Sequence, residues 1–409
     1  MDTLPWIYRL DCPVQYYDWG YTSQDGIIRS FLGMSPDIEP GKPHAELWMG
    51  AHPSAPSKIL PEKKSLLDAV NEKPEHMLGP LLYSRGERKL PFLFKILDVA
   101  RALSIQAHPD KMLAEQLHTK DSINYPDNNH KPELAVCIRD MKILAGFRSW
   151  KEIQIFLEKV PELAKLCLKN ISSTEDEKQL IRNAWNSLMS ASKDTIREAV
   201  LSYKERFYSS RDREEKIVFE LMDYYGDEDP GIFCVYLLNY IELKKGEGIF
   251  LGPNEPHAYL GGQMLECMAS SDNVVRAGLT NKYRDVQTLL SMLHYNSGPL
   301  EIIRPGPALT QGLYPYHVPV SDFILNQLYL TPGNAFQMHS TRFPSILLVF
   351  EGAVKIQCED QTVTADQGSV LFFPGDLESR KKKIYIKTLE TNTAEHYIAT
   401  TGENHLSKP

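Results

Sequence analysis

Hydrophobic positions recur along this chain with two different periods, and the change of period divides it into regions. From residue 5 to about 149 the apolar runs are short, and Pro and Gly are frequent. Pro91 to Asp98 and Ala102 to His108 read as adjacent strands around a turn. Asp110 to His118 reads as a short helix with Asp110 as N-cap and Met112, Leu113 and Leu117 on one side. Beyond Trp150 the spacing becomes that of helices. Ile153, Phe156, Leu157 and Val160 form one stripe, which Pro161 breaks. Leu180, Ile181, Ala184, Trp185 and Leu188 form a second, Ala199, Val200, Tyr203 and Phe207 a third, and Ile217, Leu221 and Met222 a fourth. Residues 151–225, rich in charge and free of Gly, predict an all-helical insertion.

After Asp229-Pro230-Gly231 a strand pattern returns, with Phe233 to Leu238 and Ile241 to Leu243 as candidates. Phe323 to Leu330, Ser345 to Phe350, Val354 to Cys358, Gln361 to Thr364 and Ser369 to Phe373 continue it, separated by turn residues. Short strands with such turns suggest a sandwich or jelly roll. Gly246 to Pro256 and Gly368 to Asp376 look like two versions of one element: a glycine turn, a hydrophobic strand and a Pro-containing turn. A histidine follows the first version; Leu377 and Glu378 follow the second. The expected fold is mainly β with an α-helical insertion, built on a duplicated small barrel. The expected boundaries are 1–149 and 229–300 for the two parts of one barrel unit, 150–228 for the insertion and 301–409 for the second barrel.

Bulk properties narrow the function only a little. At 409 residues, several domains are expected. A net charge of -8 argues against a nucleic-acid partner but leaves room for a small anion in a locally basic cleft. No apolar run approaches the ~20 residues needed to cross a bilayer, and no secretory signal is expected at the N-terminus. Six cysteines without CxxC spacing read as reduced and mostly buried, so the cytoplasm is the expected compartment. The basic run Arg380 to Lys383 reads as a solvated turn.

The chemistry concentrates in Leu103 to Lys111. In an extended strand Gln106 and His108 project from one side, about 7 Å apart at their α-carbons. Glu133, in His130-Lys131-Pro132-Glu133, offers a carboxylate, and His257, after Pro253-Asn254-Glu255-Pro256, offers a second imidazole. Two nitrogens and two oxygens suit a divalent metal; such a set favours zinc without excluding manganese, cobalt or iron.

Ser104 to Lys111, Tyr125 to Glu133 and Gly262 to Tyr283 closely resemble the type I mannose-6-phosphate isomerases (phosphomannose isomerases), zinc proteins of the cupin superfamily. Tyr17-Asp18-Trp19-Gly20 and Pro43 to Gly50 extend the resemblance over essentially the whole chain. It implies two cupin-like jelly-roll barrels plus a helical domain, and one Zn2+ per chain held by Gln106, His108, Glu133 and His257. It also implies that Arg276 is the family's reactive arginine. One departure is Ser270-Ser271, where many relatives carry Cys-Ser; no step of the implied chemistry needs that thiol.

The implied reaction interconverts mannose 6-phosphate and fructose 6-phosphate through an enediol. It needs charge stabilisation, which suits Arg276, and a proton shuttle. Glu266, flanked by Met264 and Met268 on one strand face, is expected to be desolvated and to serve as base; Lys131 and His130 compete for the role. Ser104, Lys95 and Lys131 are the expected phosphate donors, with Lys282 in reserve, and Tyr259 is expected to meet the substrate. A monomer is expected. Two rivals remain: an iron-dependent cupin oxygenase and a module that binds a sugar phosphate without turning it over.

Overall fold

The computed structural model describes residues 5–23, 25–32, 41–169, 175–338 and 342–402. Strands dominate both ends of the chain, with short helices such as Leu66–Glu72 and Lys111–Lys120 among them, and helices make up its middle. The main path of a ten-stranded sheet runs Ile302–Ile303, Gly248–Leu251, Glu133–Phe147, His257–Ala269, Phe92–Val99, Glu46–Met49 and Val14–Gln15. Ile105–Ala107 and Val275–Gly278 branch from it, pairing with each other and with the start of His257–Ala269.

Phe92–Val99 is buried along its whole length, yet strand alternation gives its two faces different chemistry. Phe92, Phe94 and Ile96 join Leu47, Leu134, Val136, Leu265 and Cys267 in an apolar core. Ile346, Phe372 and Tyr397 of the C-terminal sheet close that core from the other side. The residues between them, Leu93, Lys95 and Leu97, face a cavity together with Glu46, Trp48, Glu133, Glu266 and Met268.

The ribbon formed by Glu133–Phe147 and His257–Ala269 brings distant residues to one place. Glu133 pairs with Met268 at one end, and His257 with Ala145 at the other. A straight ribbon would separate those ends by about 36 Å. Irregular register between Tyr259 and Met264 breaks the ribbon and lets it coil. Gly262 permits this: its φ is +110°, and a Cβ there would lie 2.5 Å from the Asp140 carbonyl oxygen.

The insertion comprises helices Trp150–Lys159, Pro161–Cys167, Glu177–Met189, Lys193–Phe207 and Arg213–Tyr225. Ser149 and Glu152 form a capping box at the first; Asp176 and Ser192 cap two others. Their buried stripes share one core with Ile105, Ala107, Leu144, Phe147 and Ala258, so the insertion packs directly on the sheet. In the C-terminal part an eight-stranded and a four-stranded sheet enclose a second, mostly apolar interior containing Leu347, Phe373, Ile356 and Ile386, with His396 and Asn326 buried on the same strand faces.

Four sequence expectations need correction. Pro91 to Asp98 and Ala102 to His108 do not pair with each other; both pair with His257–Ala269, at different points along it. Phe233 to Leu238 is not a strand. Pro230–Tyr236 is a buried 3-10 helix whose N-cap is Asp229, and the strand begins only at Leu238. A continuous apolar run fits any fully buried element, and the Asp-Pro-Gly start favoured a helical turn. Met112 is 73% exposed, because Ala114 and Leu117 make the buried side of helix Lys111–Lys120. Finally, Tyr8–Asp11, placed by chain order in the first unit, pairs with Val370 to Phe372 and with Lys58–Ile59 in the C-terminal sheet.

Candidate metal centre and adjoining cavity

Register places the first donors side by side. Gln106 pairs with Arg276 on one neighbour and His257 on the other, so the three share a face. His108 lies two residues beyond Gln106, and the coiled ribbon delivers Glu133. Among the described residues, His108, Glu133 and His257 form the one group of buried His, Cys, Asp or Glu whose ligand atoms lie within 4.8 Å of one another. His108 Nε2 lies 3.2 Å from Glu133 Oε1, and His257 Nε2 lies 3.4 Å from Glu133 Oε2. The Gln106 amide approaches His257 Nε2 to 3.5 Å; rotating it by a half-turn puts its oxygen in that place.

Proton positions follow from the outer partners. His108 Nδ1 is 2.7 Å from the Asn273 carbonyl oxygen and His257 Nδ1 is 3.0 Å from that of Glu255. A carbonyl can only accept, so both Nδ1 atoms carry hydrogens, and Nε2 is in each ring the nitrogen left to present a lone pair to a cation. His108 Nε2 and Glu133 Oε2 are buried and have no hydrogen-bond partner. Burial pushes the His108 pKa down to about 4, keeping it neutral. Burial opposes ionisation of Glu133 too, but His108, once acid protonates it, and Lys131 hold its pKa well below the ordinary carboxylate value. Lone pairs and a carboxylate facing one another in a dry pocket repel. A cation between them resolves the conflict, so the donor set fits a metal.

The Asn273 carbonyl that fixes the His108 ring is itself held by a staple between two loops. Asp127 accepts from Ser271 Oγ at 2.8 Å and from the Asp272 N–H at 2.7 Å. The Asn273 side chain donates to the carbonyls of Asp127 and Asn129. This staple sets the Asn273 carbonyl against His108.

Beside these donors opens a cavity of about 470 Å³, a size suited to a small polar ligand. Ser104, Gln106, Lys131, Glu133, Tyr259, Glu266, Arg276, Lys95 and Lys282 all line it. Its floor is a cross-strand row in which Trp48 pairs with Lys95 and Lys95 with Glu266. Lys95 Nζ lies 3.1 Å from Glu266 Oε2 and 3.4 Å from Glu46 Oε2, and Tyr259 donates its hydroxyl to Glu266 Oε1 at 2.9 Å. Glu266 is therefore not a carboxylate isolated among methionines, as its sequence neighbours suggested. Burial, helped by Glu133, still raises its pKa, against the opposing pull of Lys95 and Lys131.

Lys95, expected on the phosphate, is buried and neutralised by two carboxylates. His130, the third candidate base, is outside the cavity lining: its Nε2 pairs with Asp322 of the C-terminal part at 3.1 Å. Lys131 sits 3.5 Å from Glu133 Oε1. Arg276 is half-buried; desolvation alone lowers its pKa, and no carboxylate pairs with it among the described residues. Exposed Lys282 sits at the rim, with Nζ 5.9 Å from the Tyr17 ring centre. Among the described residues, the unpaired positive charge lining the cavity is thus that of Arg276 and Lys282. Sequence reasoning missed Glu46 and Trp48 as site groups, although register with Lys95 puts both on the cavity face; it also missed Tyr225, which the insertion supplies to the wall.

Comparisons with known proteins agree with this geometry. Residues 7–150 match the family model described as phosphomannose isomerase type I, catalytic domain. Mannose-6-phosphate isomerase 2 of Arabidopsis thaliana is 38% identical over 404 residues, covering 91% of this chain and 90% of that protein. The chain belongs to the type I phosphomannose isomerase family. Solved structures of that family superimpose closely. A mutant of phosphomannose isomerase from Salmonella typhimurium aligns with a TM-score of 0.84 at 29% identity, covering 97% of this chain and 100% of that one. A zinc-bound mannose 6-phosphate isomerase aligns with the same score at 28% identity and the same coverage. For a type I phosphomannose isomerase, a mainly β fold with a helical insertion is the expected architecture, and this chain has it.

Proposed function

We propose that this protein is a zinc-dependent isomerase that interconverts mannose 6-phosphate and fructose 6-phosphate through an enediol. The observation that carries the reading is the cluster of buried acceptors at His108, Glu133 and His257, which opens onto a cavity holding an uncompensated arginine. Gln106, His108, Glu133 and His257 would hold the ion; two neutral imidazoles, a neutral amide and one carboxylate leave a net positive site. When bound, zinc supplies Lewis-acid polarisation of the substrate oxygens.

The chain's own groups do the rest. Glu266 is the base that takes the proton from C2 of the aldose and returns it at C1. Burial raises its affinity for a proton, while Lys95 and Tyr259 fix its orientation. Lys95 positions that base; it does not bind phosphate. Lys131 is the second proton-transfer candidate, beside Glu133. Arg276 stays charged at any working pH and stabilises the oxyanion. Lys282 and Ser104, on the cavity wall, receive the phosphate.

The test is incubation of purified, metal-analysed protein with mannose 6-phosphate in deuterium oxide, with and without a chelator. Ketose formation that the chelator abolishes and zinc restores is expected. No turnover with stoichiometric zinc bound would refute the proposal. The oxygenase rival requires oxygen consumption, and the binding-module rival requires binding without deuterium exchange.

A further inference from the structure

The Asp229-Pro230-Gly231 segment closes the helical insertion and lies outside the cavity lining, yet its carboxylate bonds the backbone of Leu279 and Thr280, which do line it. Asp229 Oδ1 accepts from the N–H groups of Gly231 and Leu279, both at 2.7 Å, and Oδ2 accepts from the Thr280 N–H at 3.0 Å. Leu279 needs such support. Its φ is +53°, a left-handed conformation that a branched side chain rarely adopts.

Two glycines let the carboxylate approach. A Cβ on Gly278 would lie 2.7 Å from Asp229 Oδ1 and from the Gly231 backbone, and a Cβ on Gly231 would lie 2.7 Å from Leu279 N. The order passes along the chain: Thr280 Oγ1 accepts from the Lys282 N–H at 3.0 Å. Thr280, Asn281 and Lys282 then form one wall of the cavity, four to six residues beyond Arg276 in strand Val275–Gly278.

We infer that Asp229 is a positioning residue: it holds the left-handed turn at Leu279 and thereby fixes the Thr280–Lys282 wall that receives the substrate's phosphate. It touches neither the candidate ligands nor the cavity. The inference rests on the sugar-phosphate reading above. It predicts that Asp229 governs affinity for the phosphate group far more than the rate of proton transfer, because Glu266 lies in unbroken register with Phe92–Val99 and Arg276 pairs with Gln106 ahead of the irregularity that separates it from Gly278.

The experiment compares wild type, Asp229→Ala, Asp229→Asn and Lys282→Gln. Each is assayed for zinc content, for kinetics with mannose 6-phosphate, and for binding of inorganic phosphate by calorimetry. Asp229→Ala should raise both KM and the phosphate Kd by about tenfold, the factor carried by roughly 1.4 kcal/mol. Its kcat and zinc content should stay close to those of wild type. Asp229→Asn keeps an acceptor at Oδ1 and should fall between the two; it decides the matter if the alanine variant does not fold. Unchanged KM and phosphate Kd in the asparagine and alanine variants overturn the inference, as does a fall in kcat or zinc with affinity intact. If Lys282→Gln weakens phosphate binding and the Asp229 variants do not, the phosphate reading survives and the positioning role fails. If wild type turns over no mannose 6-phosphate, the function is wrong, and the phosphate Kd series still judges Asp229.

Discussion

Gly248–Leu251 and Val370–Phe373 are built alike and lead to opposite ends. Each follows a glycine with positive φ, +82° at Gly246 and +83° at Gly368, and each runs into a Pro-containing turn. The first turn leads to His257 and to an interior holding Lys95, Glu133, Glu266 and His108. The second leads to Asp376, which pairs with His76 at 2.9 Å, and its strand faces an interior of Leu347, Val354, Ile356, Ile384 and Ile386. Backbone construction is shared; the inward residues of alternate strand positions differ. Burying charge costs free energy unless it is paired, so one interior bears a cost that the other avoids. Under the proposed function that cost sustains catalysis, while the apolar interior supplies rigidity.

The comparison breaks most visibly at His257. His257→Ala should abolish turnover and zinc retention together, measured by activity and metal analysis, since it removes one of the four donors. Arg276→Ala should keep its zinc and lose about 100-fold or more in kcat. Near-normal turnover there would remove Arg276 from the mechanism.

Buried imidazoles predict acid lability of the metal-free protein, His108 in the polar interior and His396 in the C-terminal one. The unfolded chain protonates His108 near 6.5, whereas the folded chain resists until about 4. The His108 contribution to stability should therefore be flat above pH 6.5 and fall as pH drops from 6.5 through 4, by roughly 3 kcal/mol at most. Glu133, whose pKa is lowered on folding, acts in the same direction. Urea titrations at stepped pH check this. The smallest effect belongs to the other interior: Ile386→Val should cost about 1 kcal/mol in stability and leave kcat and KM unchanged.

Much of this was legible in the chain. The 3.6-residue stripes located the insertion, and the two-residue offset of Gln106 and His108 put two donors on one face. What escaped depended on partners distant in sequence. Lys95 looked like a free cation because Glu46 and Glu266 stand 49 and 171 residues away and meet it only through sheet register. Tyr8–Asp11 gave no sign that its partner was Val370–Phe373, because alternation specifies a face and not a neighbour. The Pro230–Tyr236 helix was hidden by its own complete burial.

The central claim is tested most directly by anomalous diffraction at the zinc edge from crystals of the zinc-loaded protein. One peak, in contact with Gln106, His108, Glu133 and His257 at the cavity wall, is the predicted result. Full zinc occupancy at any other place, with those four side chains uncoordinated, would contradict it.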